Sequence, residues 1–231
     1  MLNNRLLAIA DYVPQGSKIL DVGCDHAYLS IYLAQHKKPQ SVIASDIVTG
    51  PVEAARKNIR MAGLQDKIRL VQADGLLGVR PGETDCVIIA GMGAGTIIEI
   101  LTAGAEVVKQ CSTLILQPMI GADKLRIWLA DNAWSCARET LCLDNNRLYE
   151  IIVAKPASAA YTINKLQALV GDLRGHELFD RHLQNLVDKY QQLSDSLHRA
   201  TDISQVQERL DECKYLLEKL REVKHDSKRD K

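Results

Sequence analysis

The amino-acid sequence predicts an α/β domain with a mostly parallel sheet, followed by a smaller helical domain. Short apolar runs alternate with amphipathic segments from about residue 18 to 156, as in sheets covered by helices on both faces. A small-residue linker follows at 156–160. Beyond it, apolar residues recur at spacings of four and three, which is typical of packed helices. We therefore expect one domain over 1–156 and a second over 161–231.

Length, charge and cysteine usage narrow the class of protein. The 231 residues, 46% apolar and 25% charged, suit one catalytic core with a small added module. The formal net charge is zero, so a polyanion would need a local basic patch. The six cysteines form no C-x-x-C pair, and no apolar stretch reaches the length of a membrane span. We expect a soluble cytoplasmic protein with no metal site and no membrane contact.

Six apolar runs predict the strands of the first domain. They are 18–22, 41–45, 68–72, 86–90, 113–116 and 150–153. A further strand around 136–143 would pair with the last one through a turn at Asp144-Asn145-Asn146, which completes a seven-stranded, Rossmann-like sheet. Helices are expected between the strands, for example at 52–62 and 122–132.

Two apolar seams predict an antiparallel coiled-coil hairpin in the second domain. The first seam is Phe179, Leu183, Leu186, Tyr190, Leu193 and Leu197, and the second is Val206, Leu210, Cys213, Leu217 and Leu220. Asp202 and Gln205 offer a capping box between the two helices. A seam reports packing, so a structural or dimerising role and a substrate-binding role both stay open. We expect a monomer or a weak dimer through the hairpin.

Three acidic residues stand where successive strands of the first domain end. Asp21 precedes Gly23 at the first strand-to-helix turn, and a helix begins near Tyr28. A glycine there lets a nucleotide-type ligand approach the backbone. Asp46 ends the second strand and suits the two hydroxyls of a ribose, and Asp74 follows the third and suits the amine of an adenine. Carboxyl ends of parallel strands share one edge, so one nucleoside-binding crevice is predicted.

The turn itself distinguishes between two cofactors. A nicotinamide dehydrogenase requires G-x-G-x-x-G, whereas Gly23-Cys24 is followed here by Asp25 and His26. An acid at this position repels a pyrophosphate seated on the helix N-terminus. S-adenosylmethionine has no phosphate and carries a cationic sulfonium and amine, so the sequence predicts this cofactor and a class I methyltransferase fold. The predicted cofactor-binding residues are Asp21, Gly23, Cys24, His26, Asp46, Ile47, Asp74, Gly75, Ala90 and Gly91.

The fourth and fifth strand ends bear on the substrate. The fourth runs into Gly91-Met92-Gly93, and the fifth into Gln117-Pro118. Several enzymes that methylate exocyclic amines have an acid or amide followed by Pro-Pro and an aromatic residue at the first of these positions. That motif is missing here, so we do not expect the protein to methylate an exocyclic amine by means of such a motif. The glycines around Met92 either admit a flat group or serve packing alone.

Five motifs together resemble one family. Residues 23–29 (GCDHAYL), 89–93 (IAGMG), 114–118 (LILQP), 125–129 (LRIWL) and 149–153 (YEIIV) look like the TrmK family of bacterial tRNA (adenine(22)-N(1))-methyltransferases. The resemblance covers nearly the whole chain. Two positions depart from it. Met119 stands where the family commonly has Asn, and Gly93-Ala94 stands where it commonly has two glycines.

The resemblance implies a reaction and a substrate. The methyl group of S-adenosylmethionine would go to N1 of adenine 22 in the D-arm region of tRNA. The substrate would be contacted by Arg5, Met92, Gly93, Gln117 and Pro118. Candidates for a basic RNA-binding surface are Arg5, Lys57, Arg60, Arg80, Arg126, Arg147 and Lys155.

Asp25 is the candidate catalytic residue. Adenine N1 carries its own lone pair, so the reaction needs positioning more than an activated nucleophile. The methylated base is cationic, and a nearby carboxylate would stabilise the developing charge. Asp25 could equally cap the helix that follows. Two other functions stay open, namely methylation of a small molecule or a protein, and a non-enzymatic interaction protein built on the coiled coil.

Overall fold

The computed structural model describes residues 2–199 and 206–227. The chain divides into two compact units, Met1–Thr162 and Ile163–Lys231. Tyr161 is held to the first unit, because its backbone N–H donates to the carbonyl of Ala130 at 3.0 Å and its hydroxyl donates to the carbonyl of Trp134 at 3.3 Å. The segment after the last strand is therefore anchored to the sheet domain.

The first unit is built on a seven-stranded sheet. The strands are β1 (Lys18–Val22), β2 (Ser41–Asp46), β3 (Ile68–Gln72), β4 (Cys86–Met92), β5 (Thr113–Pro118), β6 (Trp134–Asp144) and β7 (Arg147–Pro156). Their order is β3-β2-β1-β4-β5-β7-β6. The first five are parallel, and β7 runs antiparallel to both β5 and β6. The predicted seven-stranded, mostly parallel sheet is confirmed.

Alternation along the central strands builds two apolar layers. Leu20, Val87 and Leu114 belong to the core on one face, and their strand neighbours belong to the core on the other. These central strands are covered on both sides, so their sequences are almost continuously apolar. The covering helices are α1 (Asn4–Asp11), α2 (Tyr28–His36), α3 (Thr49–Met61), α4 (Ala94–Ala103), α5 (Ala105–Val108) and α6 (Ala122–Asp131).

Helix α3 begins three residues before the predicted start. Pro51 lies in its first turn, where the missing N–H removes no helical hydrogen bond.

The turn between β6 and β7 has Asn145 at φ 47° and Asn146 at φ 62°. Two left-handed residues form the tight hairpin turn that matches strand twist, and asparagine tolerates this conformation. The predicted hairpin is confirmed.

The second unit contains α7 (Lys165–Val170), α8 (Phe179–His198) and α9 (Gln207–Asp226). Ser227, just beyond α9, donates to Asp180 near the start of α8, and Cys213 near the start of α9 donates to the carbonyl of Tyr190. The two long helices are therefore antiparallel, as predicted. Helix α7 was not predicted. A capping box between Asn164 and Gln167 begins it.

One seam position is wrong. Leu193 is 37% exposed, and Ser194 is buried instead. In a straight helix of 3.6 residues per turn, the residue four places after Tyr190 lies closer to the seam than the residue three places after it. Supercoiling of the pair stays a prediction, and the Asp202–Gln205 capping box lies outside the described residues. Within 2–199 and 206–227, every helix falls short of the length or the apolarity needed to cross a bilayer.

Candidate functional site

A cleft of about 630 Å³ opens at the carboxyl ends of β1 to β4. Most of the residues predicted from the sequence line it together. They are Arg5, Asp21, Gly23, Cys24, Asp25, His26, Asp46, Ile47, Asp74, Gly75, Ala90, Gly91 and Met92. Three predicted residues, Gly93, Gln117 and Pro118, lie outside this lining. The strand ends thus converge on one crevice, as parallel sheets require.

The turn between β1 and α2 has an unusual backbone. Gly23 has φ +69°, and a Cβ atom on it would overlap the terminal methyl group of Met92. Asp25 and Ala27 are also left-handed, with φ 51° and 58°. The N–H of Cys24 donates to the carbonyl of Ser45 at 2.9 Å, which ties the turn to β2. Gly23 therefore lines the cleft with its backbone, against the methyl group of Met92, and the turn is held from the neighbouring strand.

Asp46 fastens the same turn from the end of β2. Its Oδ2 accepts from the backbone N–H of Asp25 at 3.0 Å, and its Oδ1 accepts from the N–H of Val48 at 3.0 Å. Each carboxylate oxygen has a second lone-pair site. Asp46 is therefore already oriented, with acceptor capacity left for two ligand hydroxyls.

Asp21 is buried at the end of β1. Its Oδ2 accepts from the hydroxyl of Ser30 at 2.6 Å. Burial raises the pKa of Asp21 to about 6, although the hydrogen bonds from Ser30 oppose the shift, and the charge of Asp46 adds to it. At neutral pH this carboxyl is mainly ionised, but protonation lies within reach of mildly acidic conditions.

Asp25 lies on the lip of the cleft, with its side chain 67% exposed. Its Oδ1 lies 3.6 Å from Nε2 of His26, and the ring of His26 stacks on Tyr28 with centroids 5.6 Å apart. The helix-cap interpretation of Asp25 is wrong, because α2 begins at Tyr28 and its N-cap is Ala27, which has no polar side chain. The Asp25 carboxylate is left facing solvent and the cleft.

Gln117 connects α1 to the cleft wall. It is fully buried, and its Oε1 accepts from Nη1 of Arg5 at 2.5 Å and from the N–H of Gly91 at 3.2 Å. Its Nε2 donates to the carbonyl of Pro118 at 2.9 Å. Its polar atoms are thus used inside the protein, so Gln117 positions Arg5. The expectation of a direct substrate contact by Gln117 does not match this placement.

The other two residues outside the lining belong to the neighbouring loops. Gly93 is the N-cap of α4, and Pro118 is buried at the end of β5, where it pairs with Met92. The N–H of Met119 donates to the carbonyl of Met92 at 2.7 Å, which joins the two loops. Gly93 and Pro118 therefore shape the end of β4 from behind.

The cleft carries a net negative charge. Its lining includes five carboxylates, those of Asp21, Asp25, Asp46, Asp74 and Glu99, against one guanidinium, that of Arg5. This balance repels a pyrophosphate and favours a cationic ligand. With the exposed backbone at Gly23 and the oriented Asp46, the residues fit a sulfonium nucleoside such as S-adenosylmethionine.

Some lining residues escaped the sequence analysis. Thr96, Glu99 and Ile100 of α4 face the cleft, as does Leu77. On an isolated helix, a glutamate is indistinguishable from a solvated surface residue. Their position in the sequence could have revealed them. Because α4 begins directly after the end of β4, its first turns must lie at the same edge of the sheet. The proposed basic surface also contained one error, since Arg126 is buried.

Comparisons with known proteins agree with the geometry. Residues 2–152 match a family model described as a methyltransferase domain. The tRNA (adenine(22)-N(1))-methyltransferase of Bacillus subtilis (strain 168) is 34% identical over 96% of this chain and 96% of its own. The family model matches the sheet domain, and the Bacillus subtilis relative matches both the sheet domain and the helical unit.

Two solved structures are similar over nearly the whole chain. A Streptococcus pneumoniae protein in complex with S-adenosyl-L-methionine has a TM-score of 0.77 and 32% identity, covering 94% of this chain and 100% of that one. The TrmK protein of M. capricolum in complex with S-adenosyl-homocysteine has a TM-score of 0.82 and 26% identity, covering 97% of this chain and 98% of that one. Together with the Bacillus relative, they show that this chain belongs to the TrmK family of bacterial tRNA methyltransferases.

Proposed function

We propose that this chain transfers a methyl group from S-adenosyl-L-methionine to N1 of adenine 22 in the D-arm region of tRNA. The observation that carries the proposal is the acidic crevice at the strand ends, which suits a cationic nucleoside and disfavours a dinucleotide. The Bacillus subtilis relative is named for methylation at this same adenine position. The alternative of a non-enzymatic interaction protein leaves this crevice unexplained.

The nucleoside end of the cofactor would be held by the second and third strand ends. Asp46 would accept hydrogen bonds from both ribose hydroxyls with the lone pairs that the N–H groups of Asp25 and Val48 leave unused. Asp74 would accept a hydrogen bond from the adenine amine, and Ile47 and Gly75 would lie beside the base. All of these residues line the cleft.

The methionine end would lie against the turn after β1. When bound, S-adenosyl-L-methionine supplies a methyl group on a positively charged sulfur, ready for transfer to a nucleophile. The Asp21 carboxylate supplies negative charge for the amino group. The remaining residues would supply contacts from the backbone, from small side chains and from one imidazole. They are Gly23, Cys24, His26, Ala90 and Gly91.

Asp25 would act on the target base. Adenine N1 becomes positively charged as its bond to the methyl group forms, and a carboxylate close to the ring stabilises that charge. The backbone N–H of Asp25 is fixed on Asp46, so its position is set while its side chain stays at the lip. Asp25 is thus the group that favours the transition state over the neutral ground state.

The substrate adenine must leave any base pair before it reacts, because N1 lies on the Watson–Crick edge. Met92 and Arg5 line the cleft beside the end of β4 and would contact the entering base or its sugar. Gln117 keeps Arg5 in place from behind. Gly93 and Pro118 shape the loops around Met92 and hold its position.

A primer-extension assay tests the proposal. An unmodified tRNA transcript incubated with the protein and S-adenosyl-L-methionine should acquire a reverse-transcription stop at adenine 22, because a methyl group on N1 blocks pairing. A transcript with guanine at that position is the matched control and should give no new stop. A protein that binds the methyl donor but leaves no stop on any tRNA would act on another substrate, and the proposal would be wrong.

We further propose that the helical unit serves tRNA binding, since the residues that line the cleft all belong to the first unit. A truncation after Thr162 should keep affinity for S-adenosylhomocysteine and lose tRNA methylation. Loss of both would contradict this division of roles between the two units.

A tRNA substrate is consistent with the expected cytoplasmic location. A weak dimer through the hairpin stays a prediction, which sedimentation of the full chain tests.

A further inference from the structure

Tyr149 is flanked by two arginines at the edge of the cleft. The Cζ atom of Arg5 lies 5.6 Å from the ring centroid, and that of Arg147 lies 5.5 Å from it. Arg147 and Tyr149 are two residues apart on β7, so their side chains leave the same face of the strand. Arg5 reaches the ring from α1. We call Arg5, Tyr149 and Arg147 the arginine–tyrosine rim.

Neither arginine of this rim forms a salt bridge within residues 2–199 and 206–227, although Asp144 is the register partner of Arg147 in the β6–β7 hairpin. Arg5 is held by the uncharged amide oxygen of Gln117, and it stands in the first turn of α1, where the helix dipole disfavours a cation. Arg69, in contrast, is paired with Glu83 at 2.9 Å. The rim therefore keeps positive charge that an anion can use.

The rim adjoins a cleft of opposite sign. Arg5 lines the cleft, and its Nη1 lies 3.5 Å from where a Cβ on Gly91 would stand. Five carboxylates line the same cleft, so they repel a phosphate backbone while they attract a cationic ligand. The formal net charge of the chain is zero, which provides no general attraction for RNA. A polyanion must be held beside the cleft by a local group.

We propose that the arginine–tyrosine rim is a phosphate clamp that binds the RNA backbone next to the adenosine entering the cleft; this rests on the proposed function. Guanidinium groups match phosphate oxygens with two parallel hydrogen bonds. Stacking on Tyr149 restricts both side chains before RNA arrives, which lowers the entropy lost on binding. The turn at Asn145-Asn146 places Arg147 directly at the start of β7 and presents it to solvent.

Binding of unmodified tRNA to an Arg147→Gln variant tests the clamp. The dissociation constant is measured by fluorescence anisotropy between 50 and 300 mM salt, roughly the range where phosphate contacts dominate. We expect about fivefold or more weaker binding near 150 mM salt, and a slope of log affinity against log salt smaller by about one. Affinity for S-adenosylhomocysteine should not change, because Arg147 is outside the cleft lining.

Arg138→Gln is the matched control. Arg138 stacks on Tyr12 with its Cζ atom 5.6 Å from the ring centroid, so the same type of contact is removed beside the other end of α1. Two further variants test the ring. Tyr149→Phe keeps the stacking surface and should bind tRNA like the unaltered protein, whereas Tyr149→Leu should weaken binding in the same direction as Arg147→Gln.

The clamp proposal is overturned if Arg147→Gln keeps the original tRNA affinity and salt slope. It is also overturned if Arg138→Gln reduces the affinity and the slope as much as Arg147→Gln does. It is also overturned if the Tyr149→Leu variant binds tRNA normally while thermal melting shows that it is folded. The readout is RNA binding, so the two proposals fail separately. A missing stop at adenine 22 with the unaltered protein refutes the function, and normal binding by the variants refutes the clamp.

Discussion

The backbone N–H of Asp25 donates a hydrogen bond to Oδ2 of Asp46 at 3.0 Å. This bond joins the turn after β1 to the end of β2, so Asp46, the residue proposed to hold the ribose, also sets the position of the candidate catalytic residue. The donor is a backbone group, and the side chain of Asp25 takes no part in it. Substitutions at the two positions should therefore have separable effects.

Asp46→Asn should mainly damage cofactor binding. An amide has one oxygen for the two backbone N–H groups that the carboxylate now satisfies, and its NH₂ group repels the second. Hydrogen bonds to a charged group contribute about 1.5–3 kcal/mol, so affinity for S-adenosylhomocysteine should fall by about 10- to 100-fold in calorimetry. Asp85→Asn is the control, because Asp85 accepts from the N–H of Lys18 at 2.9 Å at the opposite end of β1. An equal loss of affinity in both variants would contradict the assignment.

Asp25→Asn should mainly slow the chemical step. The variant keeps the backbone bond to Asp46, so affinity for S-adenosylhomocysteine should stay unchanged. The rate of methylation in a single turnover should fall by about 10- to 100-fold, a loss kept moderate by the exposure of the side chain. Asp66→Asn, in an exposed loop, provides the comparison. Unchanged single-turnover kinetics would remove Asp25 from the mechanism.

Asp21→Asn should make the protein more stable and a weaker binder of its cofactor. Burial raises the pKa of Asp21 to about 6, above the value of 3.8 expected for an unfolded chain. The folded state then binds the proton more tightly, so stability falls as pH rises from about 4 to 6 and the penalty is complete above that window. The destabilisation caused by ionising the buried Asp21 amounts to at most about 3 kcal/mol. An asparagine avoids the penalty and can still accept from Ser30.

Thermal melting at two pH values checks this prediction. At pH near 7.5 the Asp21→Asn variant should melt several degrees higher, whereas near pH 4 the two proteins should converge, because Asp21 is then protonated. Calorimetry at neutral pH should show roughly tenfold weaker binding of S-adenosylhomocysteine, since the charge proposed to face its amino group is lost. In the unaltered protein, affinity should fall as pH drops below about 6. A lower melting temperature for the variant at neutral pH would refute the pKa argument.

The central sheet and the acidic crevice could be predicted from sequence because both follow from local patterns. Runs such as 86–90 are apolar at every position, and an acid that follows such a run lies at the ligand-binding edge whatever the packing. The position of Gln117 could not be predicted. Its motif placed it at the same edge, but whether its side chain enters the cleft depends on Arg5, more than a hundred residues away in sequence.

The second unit shows the same limit at shorter range. The heptad pattern predicted two antiparallel helices, yet it placed Leu193 in the seam where Ser194 is buried. A spacing of three and four fits a supercoiled helix and a straight one almost equally well, and the difference accumulates along the helix. The short helix α7 has a clear capping box in the sequence at Asn164 and Gln167, which was the signal that could have revealed it.

Gly23→Ala should weaken cofactor binding through the shape of the turn. Gly16 and Gly23 have nearly the same positive φ, +73° and +69°, so alanine should destabilise the fold by about 1 kcal/mol or more at either position. The two differ in their surroundings. A Cβ at Gly16 meets open space, but a Cβ at Gly23 overlaps the methyl group of Met92, which lines the cleft and must shift. Calorimetry should show that Gly23→Ala binds S-adenosylhomocysteine at least roughly tenfold more weakly than the unaltered protein. The affinity of Gly16→Ala should be unchanged. Equal affinity in both variants would contradict the role of the turn.

The buried charge at Arg126 should contribute far more to stability than a surface pair. Its Nε donates to Oε1 of Glu139 at 2.6 Å and its Nη2 donates to Oε2 of Glu150 at 2.7 Å, which joins α6 to β6 and β7. Burial alone would lower the pKa of Arg126, but the Glu150 and Glu139 carboxylates outweigh it and raise the pKa. The guanidinium therefore stays charged at every relevant pH and balances two acids in a low-dielectric region.

Arg126→Met should lower the free energy of unfolding by about 3–5 kcal/mol, because two carboxylates then face each other without the guanidinium. Arg69→Met is the control, since Arg69 pairs with Glu83 on the surface and such pairs contribute about 0–1 kcal/mol. Adding Glu139→Gln and Glu150→Gln to Arg126→Met removes the repulsion and should recover part of the loss. Urea unfolding measures all of these variants. If Arg126→Met is no less stable than Arg69→Met, the ion-pair network does not stabilise the packing of α6 against the hairpin.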